Sequence, residues 1–300
     1  MRVLTLAVTQ TQSGRTVKSL MKNELAASGA HISRLKRRAG GILLNGEKCY
    51  VTARVLAGDV LTMEIGDLPD GHIVPMPFPL DVRYEDEDLL ILDKPAGIAV
   101  HQSTRDPGEC TLENAVCHYL GGSISPHPVS RLDRGTSGLM TFAKSGYIHE
   151  RLRRTMHTEA YFRAYLGIAA GRVTPPEGKI ELPIGMAEGS AYKRAVTRQG
   201  AYACTEYETL ACSERFTLLR LLPQTGRTHQ LRLHMAAVGF PLAGDWLYGE
   251  KDEALIARPA LHSAELALTH PITGERIRLR SELPEDMRAL TDGMEMYRKG

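Results

Sequence analysis

The chain of 300 residues is long enough for one large domain with a small one, or for two domains of medium size. Its residues are 43% hydrophobic and 24% charged, and no apolar run approaches the roughly 20 residues that span a bilayer, so no membrane partner is expected. The five cysteines form no CxxC pair, which argues against a zinc knuckle or a disulfide framework and favours a reducing cytoplasm. The N-terminus is too short and too polar for a signal peptide.

The net charge of +2 hides an uneven distribution of basic residues. Residues 1–65 contain ten lysines and arginines against four acids, whereas the remaining residues contain 27 against 31. A basic segment on a near-neutral body favours a phosphate-binding appendage, although a merely solvated basic face would give the same count.

The first 65 residues predict a small α+β module. Apolar spacing and stop signals predict, in order, a strand over 2–8, helices over 16–27 and 33–39, a strand into the Asn45-Gly46 turn, and strands from 51 and 57. The second helix would carry Arg34, Arg37 and Arg38 on one face. The pieces ISRLKRR, ILLNGEKC and VLAGDVLTMEI resemble the αL RNA-binding motif, which a small-subunit ribosomal protein and tyrosyl-tRNA synthetases share. The resemblance implies that residues 1–66 bind RNA through these arginines.

A proline-rich linker is predicted over residues 67–80, followed by a second domain over 81–300. In that domain the apolar run over 89–92 predicts a buried strand, and residues 111–120 predict a helix. Strands then predominate, at 139–143, 165–169, 204–210, 216–222, 261–268 and 276–279. This succession indicates an α+β domain around an antiparallel sheet.

One carboxylate stands at the centre of the stretch PVSRLDRGTSGLMTFAKS, over residues 128–145. Asp133 lies between Arg131 and Arg134, before a Gly-Thr-Ser-Gly turn and a buried strand. A loop held at the start of a rigid strand is a frequent place for catalytic groups. The alternative is an aspartate that caps a turn and pairs with arginine.

A second chemical block covers residues 222–232. Thr225 and Gly226 predict a turn, and Thr228 is a plausible N-cap for a helix over 229–238. Two shorter blocks carry further polar and aromatic side chains, namely Lys94 with His101, and Arg163 with Tyr165.

These blocks together are similar to the RluA/RluD family of RNA pseudouridine synthases. The matching segments, in chain order over roughly residues 80–288, are LDKPAGIAVH, SRLDRGTSGL, LLPQTGRTHQLRLHMAAVGFPLAGDWLYG and ALHSAELALTHPITGE. The resemblance implies a pseudouridine synthase fold with a central mixed, mostly antiparallel sheet. It also implies isomerisation of uridine in RNA without cofactor or metal, by a cytoplasmic enzyme, here expected to be monomeric.

The resemblance assigns roles to individual residues. Asp133 would be the catalytic carboxylate, and Arg227 would keep it ionised. Tyr165 would stack on the base and take part in proton removal, although Tyr161 offers an alternative register. Arg131 would fill the gap that a flipped base leaves. The remaining predicted RNA contacts are Leu231 as an apolar wall, Arg134, Lys94 and His101.

The chain departs from the family at two places. Ser130 stands where the family has histidine, which puts a histidine contact to the RNA backbone in doubt. Arg163 replaces a lysine and keeps the charge, although the two side chains are not equivalent. Ribosomal RNA is the first choice of substrate; the alternatives are transfer RNA and a non-catalytic role as an RNA-binding ribosome-assembly factor.

Several other polar residues have structural interpretations. His229 and His234 with Asp245 would not form a metal site, because two histidines five residues apart do not share a helical face. Trp246 and Tyr248 are expected to pack under the following loop. A predicted hairpin carries two cations that either contact RNA or are merely solvated, Lys193 and Arg194.

Overall fold

The computed structural model describes residues 2–67, 73–103, 106, 108–122, 124–250 and 252–297. Its strands are β1 Val3–Ala7, β2 Ile42–Leu44, β3 Glu47–Lys48, β4 Val60–Glu64, β5 Asp81–Glu85, β6 Leu89–Lys94, β7 His127–Pro128, β8 Ser137–Ala143, β9 Tyr161–Ala170, β10 Glu177–Glu181, β11 Ile184–Met186, β12 Arg194–Val196, β13 Cys204–Cys212, β14 Phe216–Pro223, β15 Leu261–Thr269, β16 Arg276–Arg280 and β17 Glu295–Met296. Its α-helices are α1 Val17–Asn23, α2 Gly29–Leu35, α3 Leu112–Tyr119, α4 Gly146–Thr155, α5 Gln230–Ala237 and α6 Glu285–Arg288, and short 3₁₀ helices cover Gln10–Gln12 and Ala289–Thr291.

The N-terminal residues form a four-stranded antiparallel sheet in the order β1-β4-β2-β3. The prediction of a second helix over 33–39 is wrong, because the hydroxyl of Ser28 accepts the backbone N–H of His31 and begins α2 earlier. As a result Arg37 and Arg38 follow the helix in a turn. The predicted return strand from residue 51 is also a turn, with one bridge between Thr16 and Arg54.

The main sheet follows the order β10-β13-β14-β9-β15-β8-β6-β5, with β16, β17 and β7 attached to β15, β13 and β8. The β8–β15 pair is parallel, while the other ladders of this sheet are antiparallel. This architecture confirms the predicted mixed, mostly antiparallel α+β fold. The sequence analysis did not predict α4, whose N-cap is Ser145.

The sheet buries apolar side chains on both of its faces. In β6, Leu89 and Ile91 belong to one apolar cluster, while Leu90 and Leu92 belong to another. This alternation follows from the two-residue period of a strand. A strand buried on both faces is a continuous apolar run, which is why 89–92 was predictable.

The N-terminal sheet and the main sheet share one of these apolar clusters. Leu20 of α1 and Ile32 of α2 lie in the same cluster as Ile91 of β6 and Ile148 of α4. The Tyr147 hydroxyl also donates to the carbonyl of Leu25. Removal of residues 1–65 would therefore expose apolar surface of the remaining protein.

The residues predicted as a linker are described from 73 onward; 68–72, with Pro69, lie outside the described part of the chain. Residues 73–80 contain no helix or strand, and they pair with α3. The side-chain amide of Asn114 donates to the Val74 carbonyl at 2.8 Å, and the Met76 N–H donates to the Asn114 carbonyl at 3.2 Å. The described end of this segment is thus attached to the larger domain.

Glycine is required at position 138, where β8 begins beside β15. Gly138 has φ of +109°, and a Cβ atom there would lie 2.3 Å from the carbonyl oxygen and 2.6 Å from the nitrogen of Ser263. Both obstructing atoms belong to backbone, so neither can rotate away. The second residue of the strand that follows the Asp133 loop must therefore lack a Cβ for β8 to lie beside Ser263.

We expect Gly138→Ala to lower the free energy of unfolding by about 3 kcal/mol or more, because it combines backbone strain with a steric clash. The control is Gly274→Ala, at a φ of +77° with no atom within 4 Å of the added Cβ. That substitution should cost only about 1 to 2 kcal/mol for the left-handed backbone. Urea unfolding monitored by circular dichroism measures both, and equal losses would contradict the steric argument.

Candidate functional site

A cleft of about 1040 Å³ opens beside the start of β8. The loop over 129–136, strand β9, the turn before α5 and α5 itself line it. The residues predicted from sequence that line this cleft are His101, Arg131, Asp133, Arg134, Tyr165, Arg227 and Leu231. The tertiary structure therefore brings together side chains from distant segments of the chain.

Asp133 lies at the centre of this cleft, on a tight turn. Its backbone carbonyl accepts the N–H of Thr136 at 3.0 Å, so the turn leads directly into β8. Its side chain is 27% exposed, and Oδ2 accepts a hydrogen bond from Nη1 of Arg232 at 3.2 Å. Nε2 of His229 lies 4.0 Å from Oδ1. The carboxylate is thus held by a cation on one side and accessible on the other.

The arginine in contact with Asp133 is Arg232, and the prediction that Arg227 would pair with it is wrong. Arg232 points inward from α5 with 6% of its side chain exposed. Arg227 lies exposed in the turn before the helix, and its Nε donates to the carbonyl of Tyr202 at 3.0 Å. Residues 227 and 232 are five apart, so the turn and the helix direct them differently.

A second carboxylate fixes the Arg232 side chain. Nε and Nη2 of Arg232 each donate to an oxygen of Asp245 at 2.7 Å, and the Asp245 side chain is fully buried. The guanidinium also lies 5.3 Å from the centre of the Tyr248 ring. A bidentate pair holds an arginine in one orientation, which leaves Nη1 directed at Asp133. Sequence reasoning named Asp245 and Tyr248 only as structural groups and missed Arg232, although its position inside an apolar helix was a signal.

The helix that carries Arg232 begins at Gln230, not at His229 as predicted. His229 itself occupies the N-cap position with φ of +57°, so Thr228 is not the cap. The side-chain oxygen of Gln230 accepts the backbone N–H of Arg227 at 3.0 Å, and its amide donates to the Cys204 carbonyl at 2.9 Å. These bonds tie the turn, the helix and β13 together.

The two histidines of this region are hydrogen-bonded. Nδ1 of His229 lies 2.9 Å from the Tyr248 hydroxyl, and burial lowers the pKa of His229 against the opposing effect of Asp133. His234 bonds through both ring nitrogens, to the Thr205 hydroxyl and to the Leu182 carbonyl, each at 3.0 Å. Neither histidine belongs to a group of three metal-binding side chains in the part of the chain that the structure describes.

Lys94 is a structural residue of the Asp133 loop. It is 1% exposed, and its Nζ donates to the carbonyls of Pro95 at 2.8 Å, Arg134 at 3.2 Å and Thr136 at 2.8 Å. The prediction that Lys94 contacts RNA is therefore wrong. Burial lowers the pKa of Lys94 to about 7. Three carbonyl acceptors match the three donors of an ammonium group, and together they fix the loop that carries Asp133.

Tyr165 and Leu231 line the cleft with only 6% of each residue exposed. Tyr161, the alternative, lies outside the lining; its hydroxyl donates to Oγ1 of Thr141 at 3.1 Å and also bonds to Ser130. Burial raises the pKa of Tyr161. The structure thus places Tyr165 where a planar base could stack, and it uses Ser130 as a partner for Tyr161.

The remaining predicted contacts at the cleft differ in how they are paired. Arg131 is exposed and forms no ion pair with a described residue. Arg134 makes a bidentate pair with Glu109, and Nδ1 of His101 lies 3.0 Å from Glu113. An RNA phosphate that contacts Arg134 or His101 would therefore compete with Glu109 or Glu113.

The arginines predicted to bind RNA in the N-terminal module also differ in whether they form ion pairs. Arg34 pairs with Asp67 at 2.7 Å, and Arg38 pairs with Glu64 at 3.1 Å. Arg37 is exposed. Over the described residues, no helix is long and apolar enough to cross a membrane.

Comparisons with known proteins identify relatives of this chain. The model of the RNA pseudouridylate synthase family matches residues 88–237. An uncharacterized RNA pseudouridine synthase of Bacillus subtilis (strain 168), YlyB, is 34% identical over 263 residues, which cover 85% of this chain and 86% of that protein. Ribosomal large subunit pseudouridine synthase D of Escherichia coli (strain K12) is 34% identical over 271 residues, covering 84% and 82%.

The fold is also shared with solved structures. Human RNA pseudouridylate synthase domain containing 4 superposes with a TM-score of 0.57 at 23% identity, over 72% of this chain and 94% of its own. Human RNA pseudouridylate synthase domain containing 1 gives a TM-score of 0.55 at 25% identity, over 73% and 86%. From the family match and the extent of the similarity, this chain belongs to the RNA pseudouridylate synthase family and is an isomerase that acts on RNA.

Proposed function

We propose that this enzyme converts uridines of large-subunit ribosomal RNA to pseudouridine, with Asp133 as the catalytic carboxylate. The observation that supports this role is the chain of contacts from Asp245 through Arg232 to a carboxylate that remains accessible in the cleft. The substrate proposal is supported by relatives named ribosomal large subunit pseudouridine synthase D, which are 34% identical over most of their length.

The reaction breaks the bond between a sugar and N1 of uracil, turns the base and rejoins it through C5. A base in a duplex must leave its stack to reach Asp133, at a general cost of a few kcal/mol. Tyr165 and Leu231 form the wall against which the extruded base would pack. Arg131 lines the cleft two residues before Asp133 and is exposed, which supports our proposal that it enters the gap in the RNA.

The electrostatic contribution of the protein is to hold one carboxylate in a fixed orientation beside an opposite charge. Arg232 supplies the opposite charge, and Asp245 prevents that arginine from turning away. A charge that is already oriented before substrate binds costs little reorganisation during the reaction. Proton removal from the turned base would fall to a group beside it, for which Tyr165 is our candidate.

Two other substrates or roles compete with this proposal. A transfer-RNA enzyme could use the same site, and the names of the relatives favour ribosomal RNA. A non-catalytic assembly factor would have no need of a paired, accessible carboxylate. We also propose that residues 1–66 act as an RNA-binding module, with 81–300 as the catalytic domain, and that the protein works in the cytoplasm, where its five free cysteines remain reduced.

Asp133→Asn should abolish pseudouridine formation, because the amide removes the negative charge while it keeps the shape of the side chain. RNA affinity should change by less than about threefold, since the proposed binding groups are elsewhere. The measurement is a single-turnover assay on transcribed ribosomal RNA, with binding followed by filter retention. The matched control is Asp292→Asn, an exposed carboxylate outside the cleft; retained activity in Asp133→Asn would refute the catalytic role.

Arg232→Gln should lower the single-turnover rate by about 100-fold, the typical effect of losing one charged donor at a reacting group. It should also destabilise the protein by about 3 to 5 kcal/mol, because Asp245 loses its buried partner. Arg227→Gln should leave the rate near that of the parent enzyme and raise KM.

The double variant Arg232→Gln/Asp245→Asn separates the two effects, because it removes the unpaired buried charge. Its urea midpoint should recover most of the loss while the rate stays low. A full recovery of rate would mean that Arg232 acts only on stability, and a larger rate loss in Arg227→Gln would restore the sequence-based assignment.

Replacement of the exposed cations Lys36 and Arg37 by glutamine should reduce the slope of log affinity against log salt by up to about two. The rate at saturating RNA should not change. Single-residue substitutions are used because deletion of residues 1–65 would expose the core that the module shares with the main sheet. The matched control replaces Arg276 and Arg278 of β16, and an unchanged slope in the Lys36/Arg37 variant would exclude RNA contact by this surface.

A further inference from the structure

Three basic side chains line the cleft and have no acidic partner among the described residues. They are His157, which follows α4, Arg163 of β9 and Arg227 of the turn before α5. The ring of His157 packs against Gly226, where an added Cβ would lie 3.5 Å from Cε1 of the histidine. One ring nitrogen of His157 is hydrogen-bonded to the backbone of Gln224.

His157 occupies a backbone position that favours glycine. The N–H of Thr158 donates to the carbonyl of Thr155 at 3.1 Å, which closes a four-residue turn. Met156 has φ of −57° and ψ of 136°, and His157 has φ of +70°. These angles define a type II turn, whose third residue is usually glycine. A left-handed backbone at a residue larger than glycine costs about 1 to 2 kcal/mol. Histidine at position 157 therefore makes the fold less stable than glycine would.

Apart from Arg131, which is exposed and forms no ion pair with a described residue, three other basic residues of the cleft have acidic partners within the protein. Arg134 pairs with Glu109, Arg232 with Asp245 and Asp133, and His101 with Glu113. Arg163 and Arg227 form no ion pair with a described residue. Arg163 instead lies over the Tyr161 ring at 5.7 Å, and Arg227 donates to a carbonyl. These side chains therefore carry positive charge that an anion from outside the protein could neutralise.

We propose that His157, Arg163 and Arg227 bind a phosphodiester group of the RNA backbone, beside the nucleotide that enters the cleft. The assignment rests on the proposed function, which makes RNA the ligand. Two guanidinium groups and an imidazole provide donors from three segments of the cleft lining, and the imidazole interacts electrostatically with both arginines. Phosphate is the anion that RNA presents in every nucleotide. The site supplies position and affinity and does not read the base.

Binding at this site should depend on pH. The groups that face His157 are Arg163, Arg227 and the Gln224 carbonyl, and partial burial followed by the two arginines lowers the pKa of its imidazole. Free His157 is therefore neutral near pH 7. A phosphodiester beside it reverses the local charge and favours protonation, so RNA affinity should rise as the pH falls from about 8 to about 6.

The test uses single substitutions in the full-length Asp133→Asn protein, so that the RNA is not modified during the measurement. His157→Gly removes the imidazole and relieves the turn, and His157→Asn tolerates the same backbone without gaining charge. The control is Ala26→Gly, which also relieves a positive φ, of 53°, outside the cleft. The probe is transcribed large-subunit ribosomal RNA, with affinity measured at about pH 6 and pH 8 over a range of salt.

We expect both His157 variants to bind about three- to tenfold more weakly at pH 6, with a smaller loss at pH 8 and a salt slope lower by about one at pH 6. His157→Gly should unfold at the same or a higher urea concentration than its parent, and Ala26→Gly should bind as the parent does. Arg163→Gln and Arg227→Gln should lower the slope by about one at both pH values.

Parental affinity in both His157 variants at pH 6 would overturn the proposal, and so would a loss that is identical at the two pH values. Failure of the proposed function has a different signature: the enzyme with Asp133 intact would then form no pseudouridine in the same RNA. The binding measurements do not require turnover, so the two outcomes are distinguishable.

Discussion

The pair between Arg232 and Asp245 is the interaction on which the site depends. Asp245 is fully buried and binds two nitrogens of the guanidinium, which leaves the third directed at Asp133. Such a pair contributes little net stability, because removing both groups from water costs about as much as their attraction returns. The pair fixes the arginine in one orientation, in which Nη1 faces the accessible carboxylate of Asp133. Tyr248 and the hydrogen bonds of Gln230 hold the same region in place.

The other half of the site is a loop that is held by its backbone. Lys94 donates to three carbonyl groups around this loop, two of them from residues that follow Asp133. Gly138 allows β8 to approach Ser263 more closely than any side chain would permit. Asp133 therefore lies between Lys94, which binds three carbonyl groups, and Gly138, which lets β8 pack closely against β15. The carboxylate can remain partly exposed because groups on both sides of it prevent the loop from collapsing into the cleft.

The N-terminal sheet is joined to the main sheet by packing as well as by the chain. Apolar side chains from α1, α2, β6 and α4 form one cluster, and Arg34 is bound to Asp67, which also pairs with His127 at the cleft. Two of the three arginines expected to bind RNA thus stabilise the protein itself. We propose RNA backbone contacts for the exposed basic residues of this surface and for the basic side chains His157, Arg163 and Arg227 in the cleft. Affinity and chemistry are in this way divided between different groups of side chains.

The sequence by itself determined the α+β class, the buried strand over 89–92, the α3 helix and the loop that presents Asp133, because apolar periodicity and turn residues act over a few positions. The order of the motifs also identified the family, while the register of the tyrosine was left open between Tyr165 and Tyr161. Only the tertiary structure decided that Arg232, rather than Arg227, contacts Asp133, that Lys94 is buried, and that Arg34 and Arg38 are paired with acids. Each of these outcomes depends on a contact between segments that are far apart in the chain, such as Lys94 with Thr136 or Asp133 with Arg232. Local patterns show which side chains carry charge, but the partner of a charge depends on how the sheet and α5 are packed.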